Sequence, residues 1–599
     1  MEKRETGMKK SSNKITYIFF ALLLFLSVFS GCENVKNLFD KSNSDRKDSK
    51  NTDEYEEFLT VDIFCANANY QGIQAGWFGK VVKDKFNMEL NIIAPNVAGG
   101  GDTLFQTRSA AGNLGDIVMI GANSGKLADT VTAGLLLDLS DYVDLMPNAM
   151  QYVQGVEMLQ NLVGDNGGIY ALPSSVSSYP ATEPAESTEP TYGPYLRWDL
   201  YMQIGAPRIE TIEELLPVLK QMQMISPQTD SGEKVYGFSL FKDWDGNMMM
   251  MGKQPACLYG FDEIGFVLSK ADGKENQSII DDDSLYVRSL KLYFQANQMG
   301  LLDPESATQN WDAVWDKTAA GAVLYSPWPW LGQAAFNTND NLAAGKGFMI
   351  APVEDIKIFS YGARPSGDKY VVGIGSKAQD PERMAAFIDW LYSPEGIMMS
   401  TSQTGSTCGP EGLTWEMAEG EPVLTEFGVK AMLQGGVNMP EEWGGESWEE
   451  GVSQLNFQPV MPKDINPETG FSYDFRLWDS YVDFTSTPVH ESWENIMGAT
   501  TTFEYLVDND MLIVAPGTDF IAPAEPAEIE RLRDQCKEII VKTSWKMVFA
   551  EDEEQFYTLL HDMQDTVNEL GYEDVLKFDL EAARAQSAAR EAASAGIDD

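Results

Sequence analysis

The sequence predicts an α/β protein with at least two lobes, and three observations support this expectation. The chain has 599 residues, more than one hydrophobic core usually holds. Strand patterns near its start alternate with helix-compatible stretches, which indicates a parallel sheet flanked by helices. A second unit of the same kind begins near Tyr195. Apolar residues make up 43% of the chain, enough to fill two cores and to exclude a mainly disordered protein.

Three strands define the first α/β unit. Residues 61–65 alternate in polarity as a half-buried strand does, and residues 89–94 are predicted as the second strand. Residues 115–121 form an apolar run bounded by glycines, which is typical of a parallel strand buried on both faces. Ligands of such sheets bind beyond the carboxyl ends of the strands. The loops after Cys65 and Ile120 are therefore the first places to look for a binding site.

The second unit and the C-terminal part also carry local signals. Residues 235–241 and 321–325 are predicted as strands, and residues 370–374 as another buried strand. The Asp-Pro pair at 380–381 is typical of a helix start. Near the end of the chain, an apolar stripe at helical spacing predicts an amphipathic helix that ends at Gly571.

The charge of the chain excludes some classes of partner. Lys and Arg total 43, whereas Asp and Glu total 91, so the net charge is −48. A surface this negative repels phosphate backbones, and we expect no nucleic acid partner. The two histidines, His490 and His561, are far apart in the sequence. We therefore expect neither a histidine-based metal site nor a histidine proton relay.

The N-terminus resembles that of a bacterial lipoprotein. Positively charged residues within 9–14 precede an apolar run at 15–30, which suits a signal peptide and is short for a membrane-spanning helix. Residues 30–32, Ser-Gly-Cys, resemble the lipobox of such lipoproteins. The resemblance implies removal of residues 1–31 and acylation of the Cys32 thiol, and an uncleaved membrane anchor is the alternative. Both place the folded chain at the extracellular face of the bacterial cytoplasmic membrane.

Several short strings follow one another in a fixed order. They are DIV at 116–118, GLLLDL at 134–139, GIYALP at 168–173, RWDL at 197–200, SPEG at 393–396 and GPEGLTW at 409–415. Behind a lipoprotein-like signal, these strings resemble the extracellular solute-binding lipoproteins of bacterial ABC importers. The resemblance runs from about residue 58 to the C-terminus. It is to the oligosaccharide-binding subgroup, the maltose-binding-like type of family 1.

The resemblance implies a two-lobed periplasmic-binding-protein-like fold, in which each lobe has a mainly parallel sheet flanked by helices and the ligand lies between the lobes. It also implies a monomer that delivers an oligosaccharide to the permease subunits of an ABC transporter, without enzymatic activity or cofactor. The predicted segments are a signal peptide at 1–31, a flexible acylated linker at 32–57, lobe 1 at 58–173 and 366–412, and lobe 2 at 174–365 and 413–599, with an acidic, Pro-rich insertion at 181–190.

The segment at 325–330, YSPWPW, carries the most information about the ligand. It resembles the GPWAW segment of maltose-binding-type proteins, in which the first Trp stacks on a sugar ring. An indole offers a flat apolar surface and one N–H donor, which matches the apolar face and polar rim of a sugar. Trp328 is therefore the first candidate and Trp330 the second, and the alternative is that both belong to the core.

Polar loop residues are further candidates for sugar contacts. The loop after the first strand carries Asn67, Asn69 and Tyr70, and the loop after the third strand carries Asn123 and Ser124. The resemblance places polar sugar contacts there, and amides can both donate to and accept from hydroxyl groups. Asn and Ser are also common turn formers, which is the alternative. Weaker aromatic or guanidinium candidates are Trp77, Trp244, Tyr361, Arg364 and Trp443.

No metal site is expected from the sequence. Some alginate-binding relatives carry a calcium loop, but residues 229–234 here are too few and too poor in carboxylates to supply six to eight oxygens. The cysteines beyond the signal region have no metal-type spacing and allow up to two disulfides or none. These cysteines are Cys65, Cys257, Cys408 and Cys536.

Two other function classes remain as alternatives. A secreted glycoside hydrolase or lyase would need two carboxylates at a fixed separation, and the 91 acidic residues always allow such a pair by chance. No G-x-S-x-G or H-E-x-x-H string is present. A binder of another solute, such as a peptide, is the second alternative.

Overall fold

The structure is a computed structural model, and it describes most of the chain. The chain divides into an N-terminal unit, Met1–Glu57, and a larger compact unit, Phe58–Asp599. The predicted lipidation site Cys32 and the candidates Asn123 and Ser124 lie outside the described residues. No helix within the described part is long and apolar enough to cross a membrane. The described residues are 55–95, 97, 101–122, 125–164, 167–517 and 525–595.

The strands of the described residues form five sheets. The longer strands are rich in Val, Ile and aromatic residues, which favour an extended, pleated backbone. In chain order the strands are β1 (Leu59–Cys65), β2 (Gly72–Ile73), β3 (Met88–Ile93), β4 (Ile117–Gly121), β5 (Leu172–Ser174), β6 (Tyr195–Arg197), β7 (Phe261–Ile264), β8 (Val267–Lys270), β9 (Asn276–Ser278), β10 (Tyr325–Ser326), β11 (Phe348–Ile350), β12 (Ile358–Tyr361), β13 (Asp368–Ile374), β14 (Trp415–Ala418), β15 (Glu421–Leu424) and β16 (Leu512–Ala515).

The helices flank these sheets and form the C-terminal part of the described chain. In chain order they are α1 (Gly76–Phe86), α2 (Gly101–Ala110), α3 (Lys126–Thr132), α4 (Val153–Val163), α5 (Trp198–Gln203), α6 (Leu215–Ile225), α7 (Met250–Cys257), α8 (Leu285–Gln298), α9 (Trp311–Ala319), α10 (Pro329–Phe336), α11 (Asn339–Ala343), α12 (Pro381–Tyr392), α13 (Pro394–Ser400), α14 (Glu426–Val429), α15 (Asp479–Thr485), α16 (Pro488–Met497), α17 (Thr502–Asp508), α18 (Ala527–Val548), α19 (Glu553–Leu570) and α20 (Tyr572–Ala595).

Lobe 1 contains a six-stranded sheet in the order β2-β3-β1-β4-β13-β5. Strand β1 pairs in parallel with β3 and β4, and β13 runs antiparallel between β4 and β5. All five residues of β4 are buried, as its continuous apolar sequence predicts. The parallel pairing brings the ends of β1 and β4 to one edge of the sheet, where Cys65 pairs with Met119. The three strands predicted for this unit are therefore confirmed.

Lobe 2 has a smaller sheet and a core rich in helices. Strand β6 pairs antiparallel with β10 and β11, which differs from the mainly parallel sheet expected here. Parallel pairing occurs between β12 and β16 and in isolated bridges, among them those from Tyr236 to Val323 and from Phe238 to Leu302. The strands predicted at 235–241 and 321–325 are therefore reduced to such bridges and to β10. The core of this lobe extends in sequence from Tyr192 to Val575 and includes residues of α18 and α19. These strands have only two to four residues, and helices contribute many of the buried apolar residues of this core.

One segment predicted for lobe 2 contacts lobe 1 instead. The predicted second part of lobe 2 begins at residue 413, but Trp448 stacks on Trp77 of α1, with ring centroids 4.9 Å apart and planes inclined by 9°. The Trp77 indole N–H donates to the backbone oxygen of Trp448 at 3.1 Å. The Cys65 thiol donates to the backbone oxygen of Leu455 at 3.0 Å. Trp448 and Leu455 therefore contact lobe 1, whereas the backbone oxygen of Leu433 accepts from Asn339 Nδ2 of lobe 2 at 3.1 Å.

The four cysteines within the described residues are buried free thiols, so of the two outcomes left open by the sequence the structure shows the one without disulfides. Burial raises the pKa of the Cys65 thiol to about 11 and that of the Cys257 thiol to about 12. Such thiols are poorly ionised near neutral pH and behave as small apolar side chains. The four are Cys65, Cys257, Cys408 and Cys536.

Candidate functional site

A cleft with a volume of about 810 Å³ lies where several distant parts of the chain meet. The first turns of α10, within residues 329–334, line it together with the acidic segment 185–191. The remaining lining residues come from 404–406, 458–463 and 474–481. The mixture of one large aromatic side chain with hydroxyl, amide and charged groups is typical of a site for a polar organic ligand.

The two tryptophans of the YSPWPW segment have different environments. Trp328 precedes α10 in extended backbone and is only 2% exposed, and its indole N–H donates to Gln254 Oε1 at 3.0 Å. Trp330 lies in the first turn of α10, lines the cleft and is 39% exposed. The two rings stack, with centroids 4.4 Å apart. The first candidate, Trp328, is therefore a buried support, and Trp330 presents the indole surface to the cleft.

The acidic, Pro-rich segment lines the cleft rather than forming a separate exposed insertion. Glu189 is half-buried, and its carboxylate accepts hydrogen bonds from Tyr195 Oη at 2.8 Å, Gln333 Nε2 at 3.0 Å and Thr502 Oγ1 at 3.1 Å. Burial raises the pKa of Glu189 despite these donors. Glu186 accepts from Ser360 Oγ at 2.7 Å. These carboxylates hold the segment against lobe 2.

Arg476 supplies the main cationic group of the cleft. Its Nε donates to Asp474 Oδ1 at 2.8 Å, and its Nη2 donates to Asp474 Oδ2 at 2.6 Å and to Ser406 Oγ at 3.1 Å. Burial lowers the pKa of Arg476, but the bonds to Asp474 outweigh it and raise the pKa overall. Within the described residues, Arg476 Nη1 and the hydroxyl of Tyr481 have no hydrogen-bond partner. Both groups are therefore available to a ligand in the cleft.

The predicted loop residues after β1 lie beside the cleft but do not line it. The backbone oxygen of Asn67 accepts from Asn456 Nδ2 at 2.9 Å, and the backbone N–H of Asn456 donates to Gln403 Oε1 at 3.3 Å. Asn69 is exposed, whereas the Tyr70 hydroxyl donates to the backbone oxygen of Ile73 at 2.9 Å. Their contact with a ligand stays a prediction, and Asn69 has the most accessible side chain of the three.

Four of the weaker candidates have structural partners or lie away from the cleft. Trp77 is fully buried against Trp448, which leaves it no surface for a ligand. The Tyr361 hydroxyl donates to Asp262 Oδ2 at 2.7 Å. Arg364 pairs with Asp368. Trp443, in a short 3-10 helix, is not among the residues that line the cleft.

The fifth weaker candidate, Trp244, lies outside the cleft but next to it. Its indole is 46% exposed, and its centroid is 5.9 Å from that of Trp330. Trp311, which the sequence did not single out, stacks on Trp244 with centroids 4.9 Å apart. An aromatic surface therefore continues from the cleft onto the outside of lobe 2.

The sequence also missed most of the polar residues that line the cleft. Gln333 is more than a hundred residues from Arg476 and Tyr481 in the sequence, and no short motif links them. One usable signal is the helical spacing of Trp330 and Gln333, which places both on one face of α10. No group of three or more His, Cys, Asp or Glu side chains in the described part of the chain could hold a metal ion.

Comparisons with known proteins identify the fold. No family model matches the sequence, and no curated protein is significantly similar to it. Among solved structures, the chain resembles the ABC-transporter substrate-binding protein FusA of S. pneumoniae in complex with kestose. The two share 15% identity and a TM-score of 0.56, and the similarity covers 88% of this chain and 99% of that one.

Two further solved structures have the same similarity in fold. An extracellular solute-binding protein of Bifidobacterium longum subsp. infantis is 13% identical with a TM-score of 0.56, and the match covers 88% of this chain and 99% of that one. The alginate-binding protein AlgQ2 without calcium ion is 15% identical with a TM-score of 0.54, and the match covers 88% and 98%. The chain therefore has the two-lobed α/β fold of these binding proteins.

Proposed function

We propose that this chain is an extracellular solute-binding protein that captures an oligosaccharide between two lobes and delivers it to the permease of an ABC transporter. The observation that carries the proposal is Trp330, an exposed indole in a cleft that also presents free donors from Arg476 and Tyr481. A flat apolar ring opposite hydrogen-bonding groups suits a sugar, which has an apolar face and a polar rim. The similarity in fold to a substrate-binding protein in complex with kestose supports the same reading.

The carboxylates of the cleft favour binding over catalysis. Glu189 accepts three hydrogen bonds from lobe 2 residues, and Asp474 receives two from Arg476. Glu186 accepts from Ser360 and Thr191. A glycosidase needs one carboxyl group that donates a proton to the substrate and another that attacks or activates water. Carboxylates that serve as acceptors for their own chain support the proposal of a binder without enzymatic activity.

A thermal-shift and fluorescence assay on the compact unit, residues 58–599, tests this function. We expect one oligosaccharide class in a panel of fructo-, malto- and manno-oligosaccharides to raise the melting temperature and to change the Trp fluorescence. A ligand at a hundred times its Kd stabilises the folded state by about 2.7 kcal/mol. Chromatography of the same mixtures is expected to show no shorter products. Product formation, or no response to any member of the panel, would contradict the proposal.

We also propose that the protein is held at the membrane by a lipid on Cys32. The lipobox-like residues before Cys32 and the polar linker after it support this proposal. The Cys32→Ala variant is expected to lose metabolic labelling with palmitate, whereas Cys536→Ala, which removes a buried thiol, is expected to keep it. Retention of the label by Cys32→Ala would contradict the proposal. An unlabelled wild type that stays in the membrane fraction would favour the uncleaved anchor.

Delivery to the permease then depends on lobe closure. A ligand that contacts both sides of the cleft favours the closed state only by its extra affinity for that state. We propose that the closed monomer docks on the permease through exposed acidic side chains, which the net charge of −48 supplies in excess. Basic permease loops are the complementary surface that this charge would attract.

A further inference from the structure

An exposed row of indoles continues from the cleft onto the outer surface of lobe 2. Trp330 is 39% exposed and Trp244 is 46% exposed, and these are the only two tryptophans among the exposed large apolar side chains of the described residues. Trp311 contacts both of them and is half-buried. The centroid of Trp330 is 5.4 Å from Trp311 and 5.9 Å from Trp244. The three rings therefore form one contiguous surface, which we call the indole row.

The indole row is held rigidly from below. Phe241 is fully buried and packs edge-on against Trp244, with centroids 4.9 Å apart and planes inclined by 86°. The backbone N–H of Trp311 donates to Asp243 Oδ2 at 2.9 Å. In the same loop, Asp245 Oδ2 accepts from the Trp545 indole at 2.7 Å. Hydrogen bonds to Asp243 and Asp245 thus fix the loop before α7. The indole row therefore loses little conformational entropy when it binds a ligand.

The indole N–H groups indicate which rings are available. Trp328, the buried support, donates its N–H to Gln254 Oε1 at 3.0 Å. By contrast, the indole N–H groups of Trp244, Trp311 and Trp330 have no acceptor among the described residues. Exposed aromatic side chains that adjoin a cleft are typical of a ligand-binding surface. Flat rings with free donors at their edges suit sugar rings, which present C–H groups on the face and hydroxyls at the rim.

We propose that the indole row is an outer saccharide subsite, which binds the part of an oligosaccharide chain that emerges from the cleft. The proposal rests on the proposed function, and it adds that the preferred ligand is longer than the cleft alone can hold. Continuity supports this assignment, because Trp330 belongs both to the cleft and to the row. Successive sugar units of one chain would then contact Trp330 first and Trp244 farther out.

Affinity as a function of chain length tests the outer subsite. The probes are the size series of inulin-type fructo-oligosaccharides, malto-oligosaccharides and manno-oligosaccharides, of which the series that binds the wild type is used throughout. We expect Trp244→Ala to weaken binding of the longest member by about tenfold, the equivalent of about 1.4 kcal/mol, and to leave the shortest bound member unchanged. Trp244→Leu, which keeps packing on Phe241 but removes the flat ring, is expected to behave in the same way.

The control is Phe58→Ala, which removes an aromatic side chain that is 42% exposed at the start of lobe 1 and is expected to leave every affinity unchanged. Equal effects of Trp244→Ala on short and long saccharides, or no effect on either, overturn the outer subsite alone. Unchanged saccharide affinities with impaired uptake in cells overturn it in favour of a protein contact. A wild type that binds none of the three series overturns the proposed function and the outer subsite together.

Discussion

Replacing Trp330 with alanine is expected to weaken oligosaccharide binding by about a hundredfold while the protein stays folded. A central aromatic side chain of a binding site commonly contributes 2 kcal/mol or more, and about 1.4 kcal/mol corresponds to each factor of ten in Kd. Trp330 is 39% exposed in the cleft, so its removal leaves no internal cavity. The measurements are Kd from the Trp fluorescence titration and the melting temperature of the unliganded protein.

The neighbouring Trp328→Ala variant distinguishes a residue that stabilises the fold from one that binds the ligand. Trp328 is 2% exposed, and its loss removes the hydrogen bond to Gln254 and leaves a cavity beneath Trp330. Truncation of such a buried indole is expected to lower the free energy of unfolding by about 3–5 kcal/mol. Phe58→Ala serves as the control for both properties. If Trp330→Ala bound as tightly as the wild type, the cleft would not be the sugar site.

Replacing Asp262 with asparagine is expected to lower the free energy of unfolding by about 3 kcal/mol. Lys253 Nζ lies 2.6 Å from Asp262 Oδ1, and the two side chains are 12% and 20% exposed. The Tyr361 hydroxyl also donates to Asp262 Oδ2 at 2.7 Å. Asparagine keeps the shape but leaves the Lys253 charge in a poorly solvated position. Because desolvation of that charge is then uncompensated, the loss exceeds that of an exposed pair.

The pH dependence of this loss has a definite sign. Burial raises the pKa of Asp262, but the Lys253 ammonium and the hydrogen bonds outweigh it and hold the pKa below the ordinary value. Burial lowers the pKa of Lys253, but nearby acidic groups outweigh it and raise the pKa overall. The stabilisation is therefore lost as pH falls below about 3.9 and as pH rises above about 10.4. Between about pH 5 and pH 9, the difference between wild type and Asp262→Asn is expected to be constant.

Two matched variants complete the experiment on this ion pair. The free energy of unfolding of each variant is measured by urea unfolding at several pH values. Combining Asp262→Asn with Lys253→Met is expected to recover most of the loss, since the Lys253 charge is removed together with its partner. Glu354→Gln breaks an exposed pair with Arg208, whose side chains are 46% and 66% exposed, and is expected to leave the melting temperature unchanged. A loss in Asp262→Asn no larger than that in Glu354→Gln would contradict the prediction.

Local signals in the sequence predicted several elements correctly. The apolar run at 115–121 contains β4, Ile117–Gly121, and a strand buried on both faces needs no alternation of polarity. Asp380 caps α12 by accepting from the backbone N–H of Arg383 at 3.1 Å, as the Asp-Pro pair predicted. Gly571 ends α19 with a φ of 101°, a conformation that favours glycine. Each of these features depends on residues that are close together in the chain.

The site depended on contacts that no local pattern contains. The YSPWPW segment indicated an aromatic binding residue, but it did not show which indole is exposed. That depends on Gln254, a residue of another helix, whose side-chain oxygen accepts the hydrogen bond of the buried Trp328 indole. Arg476 enters the cleft because Asp474 and Ser406 hold its guanidinium in place. The segment at 181–190 resembled an exposed insertion because its composition is acidic and rich in proline. The hydrogen bonds that hold its half-buried Glu189 carboxylate come from donors of lobe 2, which are distant in the sequence.

The sequence by itself therefore determined the α/β class, the main strands and helix ends of lobe 1, and the segment that carries the exposed indole. The spacing of apolar residues, the residues that cap helices and the residues that favour turns are local features of the sequence. They can therefore be recognised without knowledge of the fold. The tertiary structure alone decided the antiparallel sheet of lobe 2, the return of residues near 448 to lobe 1, and the polar lining of the cleft. These features arise from burial and hydrogen bonding between residues far apart in the chain, which the sequence does not display.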